Sequence, residues 1–433
     1  MTPYSNMFDP KKVKKAFPIF QQKSNKNLVY LDNAATSQKP QSVLDAMTYY
    51  YQQSNANVGR GVYQLANNST VIYGQARKKI ANFFKADSSE LILTRNSTEA
   101  INGVAYGWAD HNLQKDDVIL ISLMEHHANL VVWQEAARRN QAKLEYAHLT
   151  AEGELDLKEL EQKLKSLPVK LLALTHVSNT LGTRVSVPEI VKLVQKHSKK
   201  TRVLIDGAQS APHLPIDFKK LNIDFFVFSG HKMLGPMGIG GLLVRQQILK
   251  SKEMWPWLFG GGMIDKVTKQ KTKFNQDLAE RFLAGTPDVA NAVGLAAACD
   301  YLDKLDMKFV LQHEQDLVRY TLQQLSQLKE IEVIGPTKSR IGSVTFMHQQ
   351  THPHDVVQVL DNEGVAQVLN NEGVAQVLDN EGVAVRSGYH CCIPIHQHYD
   401  WPATIRVSFS VYNTKDDIDC LINALKKVKN ILS

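Results

Sequence analysis

A lysine stands where an apolar run breaks off in FFVFSGHKMLGPMGIGGLLV, residues 225–244: Phe225–Phe228 give way to Ser229, Gly230, His231 and Lys232. Burying an ammonium is expensive unless it is paired or neutralised. One chemistry uses that expense, a lysine that loses its charge in a Schiff base with a carbonyl cofactor. On this stretch alone a strand end with a snorkelling lysine is the simpler account. Other residues bear on the choice. Ser97 and Thr98 open a helix, whose N-terminus favours phosphate. Asp206, at the end of another apolar run, suits a pyridinium nitrogen. His126 has a ring that can stack, Gln209 an amide for a phenolic oxygen, and Ser229 and His231 further phosphate donors. A carbonyl cofactor bearing a phosphate fits these parts.

The elements that must position them follow a rhythm. Short apolar runs at Leu91–Thr94, Val118–Ser122, Leu144–Ala147, Lys170–Leu174, Val203–Ile205, Phe225–Phe228 and Gly241–Val244 alternate with helical patterns at Thr98–Ala109, Leu130–Asn140, Leu157–Lys165 and Val187–His197. Strand and helix at this spacing predict a mostly parallel sheet covered on both faces. In such sheets ligands sit beyond the carboxyl ends of the strands. The residues there are RNSTEA (95–100), MEHHAN (124–129), HVSNTLG (176–182), DGAQSAPH (206–213) and SGHK (229–232). Each alone is explained by helix capping. Five together favour one shared site.

Before this rhythm, residues 1–28 read as a polar arm, Ser54–Ser69 as a loop and Thr70–Phe84 as a helix. After Gly285–Thr286–Pro287 a long helical stretch, Val289–Leu305 and on to Leu328, leads to a second region. It holds a strand (Ser343–His348), a helix (His354–Glu363), a Cys/His-rich loop (Arg386–His398), a strand (Thr404–Ser410) and a last amphipathic helix (Asp416–Leu432). The expected organisation is α/β: an arm, 1–28, packing with the small domain; a large domain, 29–300; and a smaller C-terminal α/β domain, 301–433.

A nine-residue repeat interrupts the small domain. VVQVLDNEG (356–364), VAQVLNNEG (365–373) and VAQVLDNEG (374–382) follow one another. Nine residues are ~2.5 helical turns, so one continuous helix would rotate its apolar face by about half a turn per copy. Each copy also ends in Asn-Glu-Gly, a helix stop. The reading is a tandem duplication with one structural copy and two looped out.

Composition excludes several classes. The chain has 433 residues, enough for two domains, with 43% hydrophobic and 21% charged residues. No apolar run reaches membrane-span length. The N-terminal lysines have no apolar stretch behind them, so no signal peptide is expected. Four cysteines make no disulfide framework, which points to a cytoplasmic protein with free thiols. The net charge of +7 comes from scattered lysines without interleaved aromatics, which argues against nucleic acid. His390, Cys391, Cys392, His396 and His398 lack the spacing of a zinc site, so no metal is expected.

The stretches LDNAATSQKP, STEAIN, MEHHAN, HVSNTLG, DGAQSAPH, SGHKMLGPMGIGG, AGTP, HPHDV, RSGYHC and RVSFSVYNT carry a resemblance. The chain resembles the class V, fold type I pyridoxal-phosphate enzymes, and within them the SUF-type (group II) cysteine desulfurases. The resemblance implies pyridoxal 5'-phosphate as cofactor and L-cysteine as substrate. It also implies alanine as product, a persulfide on an enzyme cysteine, a homodimer, and a sulfur-acceptor protein of the SUF system serving iron–sulfur cluster assembly. By the same resemblance Lys232 forms the Schiff base and then acts as the Cα base. Asp206 holds the pyridinium and Gln209 the ring oxygen, while His126 stacks and moves protons. Ser97, Thr98, Ser229 and His231 hold the phosphate, with Thr286 reaching in from the second subunit. Asn179 and Arg406 bind the substrate carboxylate, Arg386 lies beside the thiol loop, and Cys391 is the nucleophile. Arg386 and His390 are expected to supply positive potential to that thiol.

Four departures qualify the match. Two extra repeat copies precede Arg386–Cys391. Gly59 stands where a His is common. FGGGMID is one residue short, with Leu283 where an acid is common. Cys392 directly follows Cys391, as a spectator or a resolving thiol. Alternatives of other kinds are a selenocysteine lyase, a class V aminotransferase, or an inactive cofactor-binding relay protein.

Overall fold

The structure, a computed structural model, describes residues 9–59, 61–349 and 371–432. At its centre is a seven-stranded sheet in the order Leu91–Thr94, Gly240–Val244, Phe225–Ser229, Arg202–Asp206, Val169–Thr175, Val118–Ser122, Lys143–Ala147. The last five pair in parallel. Gly240–Val244 runs antiparallel to both its neighbours, so Leu91–Thr94 points the same way as the parallel five. The carboxyl ends of six strands therefore meet along one edge.

Alternation along each strand explains why both faces are covered. Phe226 and Phe228 enter one apolar core with Leu172, Leu174, Val203 and Ile205. Phe225 and Val227 enter the opposite core with Leu171, Ala173 and Leu204. A strand apolar at every position suits only a sheet buried on both sides. Helices Val131–Asn140, Leu157–Ser166 and Val187–His197 cover it as expected.

A four-stranded antiparallel sheet, Ile331–Ile334, Ser343–His348, Thr404–Ser408 and Arg386–Gly388, forms the second layer system. Its core joins Val344, Phe346, Ile405, Val407 and Phe409 to Leu317 and Leu421 of the helices Met307–Leu325 and Lys415–Leu432. Val29 and Leu31 belong to this same core. Val29–Tyr30 pairs in parallel with Val383–Ala384, and Asp32 bridges to Ser408. Ahead of them, Asp9 caps a short helix, Pro10–Lys15, and Lys14 reaches Asp417 at 3.2 Å. Phe17 packs edge-on against Tyr412 at 4.6 Å and Tyr301 at 5.9 Å.

Two local expectations change, and one element is new. The helix read from Thr70 starts at Gln64, because Ser69, in an Asn-rich run, is a buried packing residue whose hydroxyl donates to Ala56 O and meets Tyr50 Oη. The Cys/His-rich stretch 386–398 is not all loop: it begins as a strand, Arg386–Gly388, and ends as a helix, Ile393–His398. A hairpin, Ile264–Val267 with Thr272–Phe274, was not legible in the sequence. In the repeat, the third copy packs. Helix Asn371–Asn380 buries Val374 and Leu378, and Gly382, at φ +80°, ends it with its N–H on Asp379 O. The expected helix His354–Glu363 lies outside the described residues. Among the described residues no helix is long and apolar enough to cross a membrane.

Candidate active site

The shared strand edge opens into a cleft of ≈ 370 Å³. Ser97, Thr98, His126, Asn179, Asp206, Gln209, Ser229, His231, Lys232, Arg386, Cys391 and Arg406 all line it. Thr286 does not. It lines a second cleft of ≈ 450 Å³ with Asn57, Gly59 and Gly261.

One wall of the first cleft is anionic in preference. Asn96 Oδ1 caps the helix Ser97–Val104 by accepting Glu99 N–H at 3.0 Å, and Ser97 and Thr98 of its first turn line the cleft. Ser97 N–H donates to Ser229 Oγ at 2.9 Å, tying this helix to the end of the neighbouring strand. The turn Gly230–Lys232 is fixed from the other side. His231 O accepts Ser37 N–H, both hydroxyls of Thr36 and Ser37, and Lys39 Nζ at 3.0 Å.

Lys232 lies deep in the cleft. Burial lowers its ammonium to about 8, against the opposing pull of Asp206. Asp206 is buried and accepts Ala208 N–H at 2.9 Å; burial raises its carboxyl. A buried carboxyl pushed toward protonation is suited to a cationic N–H partner. His126 is neutral: burial and then Lys232 depress it to about 3. Its Nδ1 accepts Ala128 N–H at 3.0 Å, so Nε2 carries the ring proton. Gln209 Nε2 donates to Ala34 O at 2.8 Å. A helix N-terminus with hydroxyls, a buried acid, a neutral imidazole and a depressed lysine form a donor set that fits a pyridine ring bearing phosphate and aldehyde groups.

Behind this wall lies an acid to which the sequence reading gave no role. Glu125 is fully buried and accepts Ser122 Oγ–H at 2.5 Å, Thr175 N–H at 3.0 Å and Asn129 Nδ2–H at 2.6 Å. Burial pushes it up to about 8.

The opposite wall carries the thiol. Cys391 is exposed, and His390 and Cys391 both have left-handed backbones, φ +50° and +57°. Arg386 and Lys232 are both in electrostatic reach of Cys391. His390 is not a source of positive potential: burial, then Arg406, holds it well below its ordinary value, and its Nε2 lies 2.8 Å from Thr404 Oγ1. His396 Nε2 meets the same hydroxyl at 3.1 Å, and no group of three or more metal-binding side chains occurs among the described residues. Cys392 is buried, its thiol donates to Asn179 Oδ1 at 3.1 Å, and burial pushes it up to about 12. A thiol held protonated in the interior makes a poor resolving group.

Both arginines meet an acid to which the sequence reading gave no role, Asp32. Arg386 donates Nε and Nη2 to its carboxylate at 2.9–3.2 Å, and Arg406 donates Nη2 at 3.1 Å. Arg406 Nη1 donates to Asn179 O at 3.0 Å, and its buried Nε has no partner atom. LDNAAT marks Asp32 as part of a motif; nothing in the sequence places it beside residues more than 350 positions away.

The Aminotransferase class-V family matches residues 29–369 and 366–421, two stretches that overlap inside the repeat. A probable cysteine desulfurase of Staphylococcus aureus (strain Mu50 / ATCC 700699) is 42% identical over 429 residues, 98% of each chain. One of Streptomyces coelicolor is 42% identical over 439 residues, 99% of each. Among solved structures, the apo cysteine desulfurase of Thermococcus onnurineus NA1 has TM-score 0.86 at 35% identity, covering 98% of both chains. An Escherichia coli cysteine desulfurase in its S-sulfonic acid form has TM-score 0.86 at 33% identity, covering 99% of this chain and 100% of that one.

Proposed function

The chain belongs to the aminotransferase class-V family, and we propose that it works as a pyridoxal-phosphate-dependent cysteine desulfurase with Cys391 as the sulfur acceptor. The carrying observation is that Cys391 lines the same cleft as Lys232, Asp206 and the two arginines. When bound, pyridoxal 5'-phosphate supplies a carbonyl for the substrate amine and a ring that draws electrons from its Cα. Ser97, Thr98, Ser229 and His231 would hold the phosphate, Asp206 the ring nitrogen, and Gln209 the ring oxygen. The neutral ring of His126 would stack on the cofactor and offer its Nε2 proton.

Arg406 and Arg386 take the carboxylate of L-cysteine. Asn179, whose amide already holds the thiol loop, sets that loop beside the carboxylate. Lys232, neutral above about pH 8, removes the Cα proton. The Cys391 thiolate then attacks the substrate sulfur. An S–S bond forms, the substrate C–S bond breaks, and its electron pair stays with the carbon fragment. Protonation of that fragment gives L-alanine, and Cys391 keeps the sulfur as a persulfide.

The SUF-type subgroup reading rests on RSGYHC beside SGHK, and it makes a dedicated acceptor protein and iron–sulfur assembly the destination of the sulfur. A homodimer is supported by the exposed apolar Val62, Tyr63, Leu258 and Phe259. They adjoin in sequence Gly59 and Gly261, which line the cleft containing Thr286, so Thr286 serves the phosphate of a second subunit. Four unpaired cysteines suit the reducing cytoplasm. The domain division proposed is arm, 1–28, large domain, 29–300, and small domain, 301–433, with the difference that Val29 and Leu31 pack in the small-domain core and so join the arm on that side.

The test is alanine formation from L-cysteine with a reductant present. Cys391→Ser should keep the cofactor's absorption band and lose at least about 100-fold in rate, the scale of removing an activated nucleophile. Full alanine formation by that variant would instead favour a lyase, and a cofactor-binding wild type that makes no alanine would favour an inactive relay protein.

A further inference from the structure

The thiol loop is held from outside. Two consecutive non-glycine residues in the left-handed region, His390 and Cys391, are not a conformation that the chain adopts unaided. Four contacts bind four successive residues. Asn179 Nδ2–H donates to His390 O at 2.7 Å, and Asn179 Oδ1 accepts from Cys392 Sγ. His127 N–H donates to Cys391 O at 2.8 Å, and Ile393 N–H donates to His127 Nε2 at 3.2 Å. Asn179 grips one side of the loop and His127 the other.

His127 does not line the cleft; its neighbours His126 and Ala128 do. It stands on a rigid base. The turn His127–Asn129 is capped by His126 Nδ1. Asn129 joins the buried Glu125, and Trp133 Nε1 donates to Asn129 Oδ1 at 2.8 Å. Glu125 in turn accepts the backbone of Thr175, four residues before Asn179. Both grips therefore share one buried acid as their foundation.

We propose that His127 is a positioning residue for sulfur transfer, its backbone N–H and ring Nε2 bracketing Cys391 so that the thiol is presented to the cleft. This rests on the reading of Cys391 as nucleophile. A residue acting in this way changes the sulfur-transfer step and leaves cofactor and substrate binding alone. Its ring contact can be cut from either end. His127→Ala removes the acceptor. Ile393→Pro removes the donor at the first position of the helix Ile393–His398, where proline is tolerated.

The experiment compares holoenzyme carrying His127→Ala, His127→Gln, Ile393→Pro and the His127→Ala/Ile393→Pro pair, reading kcat, KM for L-cysteine and the cofactor absorption band. Both single cuts should lower kcat about tenfold, the scale of one hydrogen bond, with KM within twofold and the band unchanged. The pair should lose no more than either single variant, because both break one contact. His127→Gln, which restores an acceptor, should recover most of kcat. An unchanged kcat in both single variants, losses that multiply in the pair, or a loss confined to KM would overturn the proposal. Cys391→Ser in the same assay separates the two readings. If it is fully active, the nucleophile assignment fails; if it is inactive while His127→Ala is fully active, the positioning role alone fails.

Discussion

Lys232 and Cys391 face one cleft from foundations of different kinds. Lys232 follows a strand whose five residues are all buried between two apolar cores, and the turn that carries it is tied down further by the hydrogen bonds to His231 O. Cys391 follows a three-residue edge strand and a left-handed pair, fixed by hydrogen bonds from Asn179, His127 and, through Arg386, Asp32. The first wall rests on a packed strand to which its hydrogen bonds are added. The second leans on directional contacts, most of which run through a single side chain. Under the proposed function this division suits a site that keeps its cofactor on one wall and hands over sulfur from the other.

The most severe way to break the comparison is Lys232→Ala. It should lower alanine formation by more than about 1000-fold while circular dichroism shows the fold retained, because the packed wall does not depend on that side chain. The wild-type apoprotein adds a pH test. Burial lowers Lys232 to about 8; the amine is protonated and unreactive below that value and free above it. Uptake of pyridoxal phosphate should rise from pH 7, reach half its plateau near pH 8 and level off above about pH 9; a midpoint near pH 10 would show that the lysine is not desolvated.

Asp32 tests the other wall with a smaller effect. Asp32→Ala frees both guanidinium groups from their common anchor. KM for L-cysteine should rise about tenfold, with kcat falling less, a cost of order 1.4 kcal/mol in binding. A lower KM would mean that Asp32 competes with the substrate carboxylate rather than orienting its receptors.

The smallest effect is expected from deleting residues 365–382. The remaining copy, VVQVLDNEG, offers Val356 and Leu360 where Val374 and Leu378 are buried. Alanine formation should stay within about twofold of wild type and the melting temperature should not fall, since a shorter connection costs less ordering entropy. Loss of activity with the fold intact would show that the added length positions the thiol wall.

The strand-end wall was legible because short continuous apolar runs and polar strand ends are local signals; Ser97, Asp206 and Lys232 each sit within a few residues of the strand that presents them. The thiol wall was legible as a motif but not as a geometry. Asp32 and His127 act on residues over 260 positions away, and no local pattern encodes such a pairing. His390 misled for a related reason: next to Cys391 it reads as a source of charge, yet folding buries it against Thr404 and keeps it neutral. The start of the helix at Gln64 was hidden because buried Ser69 looks like a loop residue until Tyr50 and Ala56 meet its hydroxyl.

The strand Val29–Tyr30 has a consequence in time. Val29 and Leu31 have their core partners in Val407 and Phe409, and their ladder partner begins at Val383, about 350 residues later in the chain. At ribosomal rates of about 5–20 residues per second, this segment waits about 20–70 s with its apolar side chains unpartnered while the large sheet is made and can fold. The small domain can close only once the chain through Phe409 has been made, so the thiol comes into register with Lys232 after Val29–Tyr30 has found its distant partner.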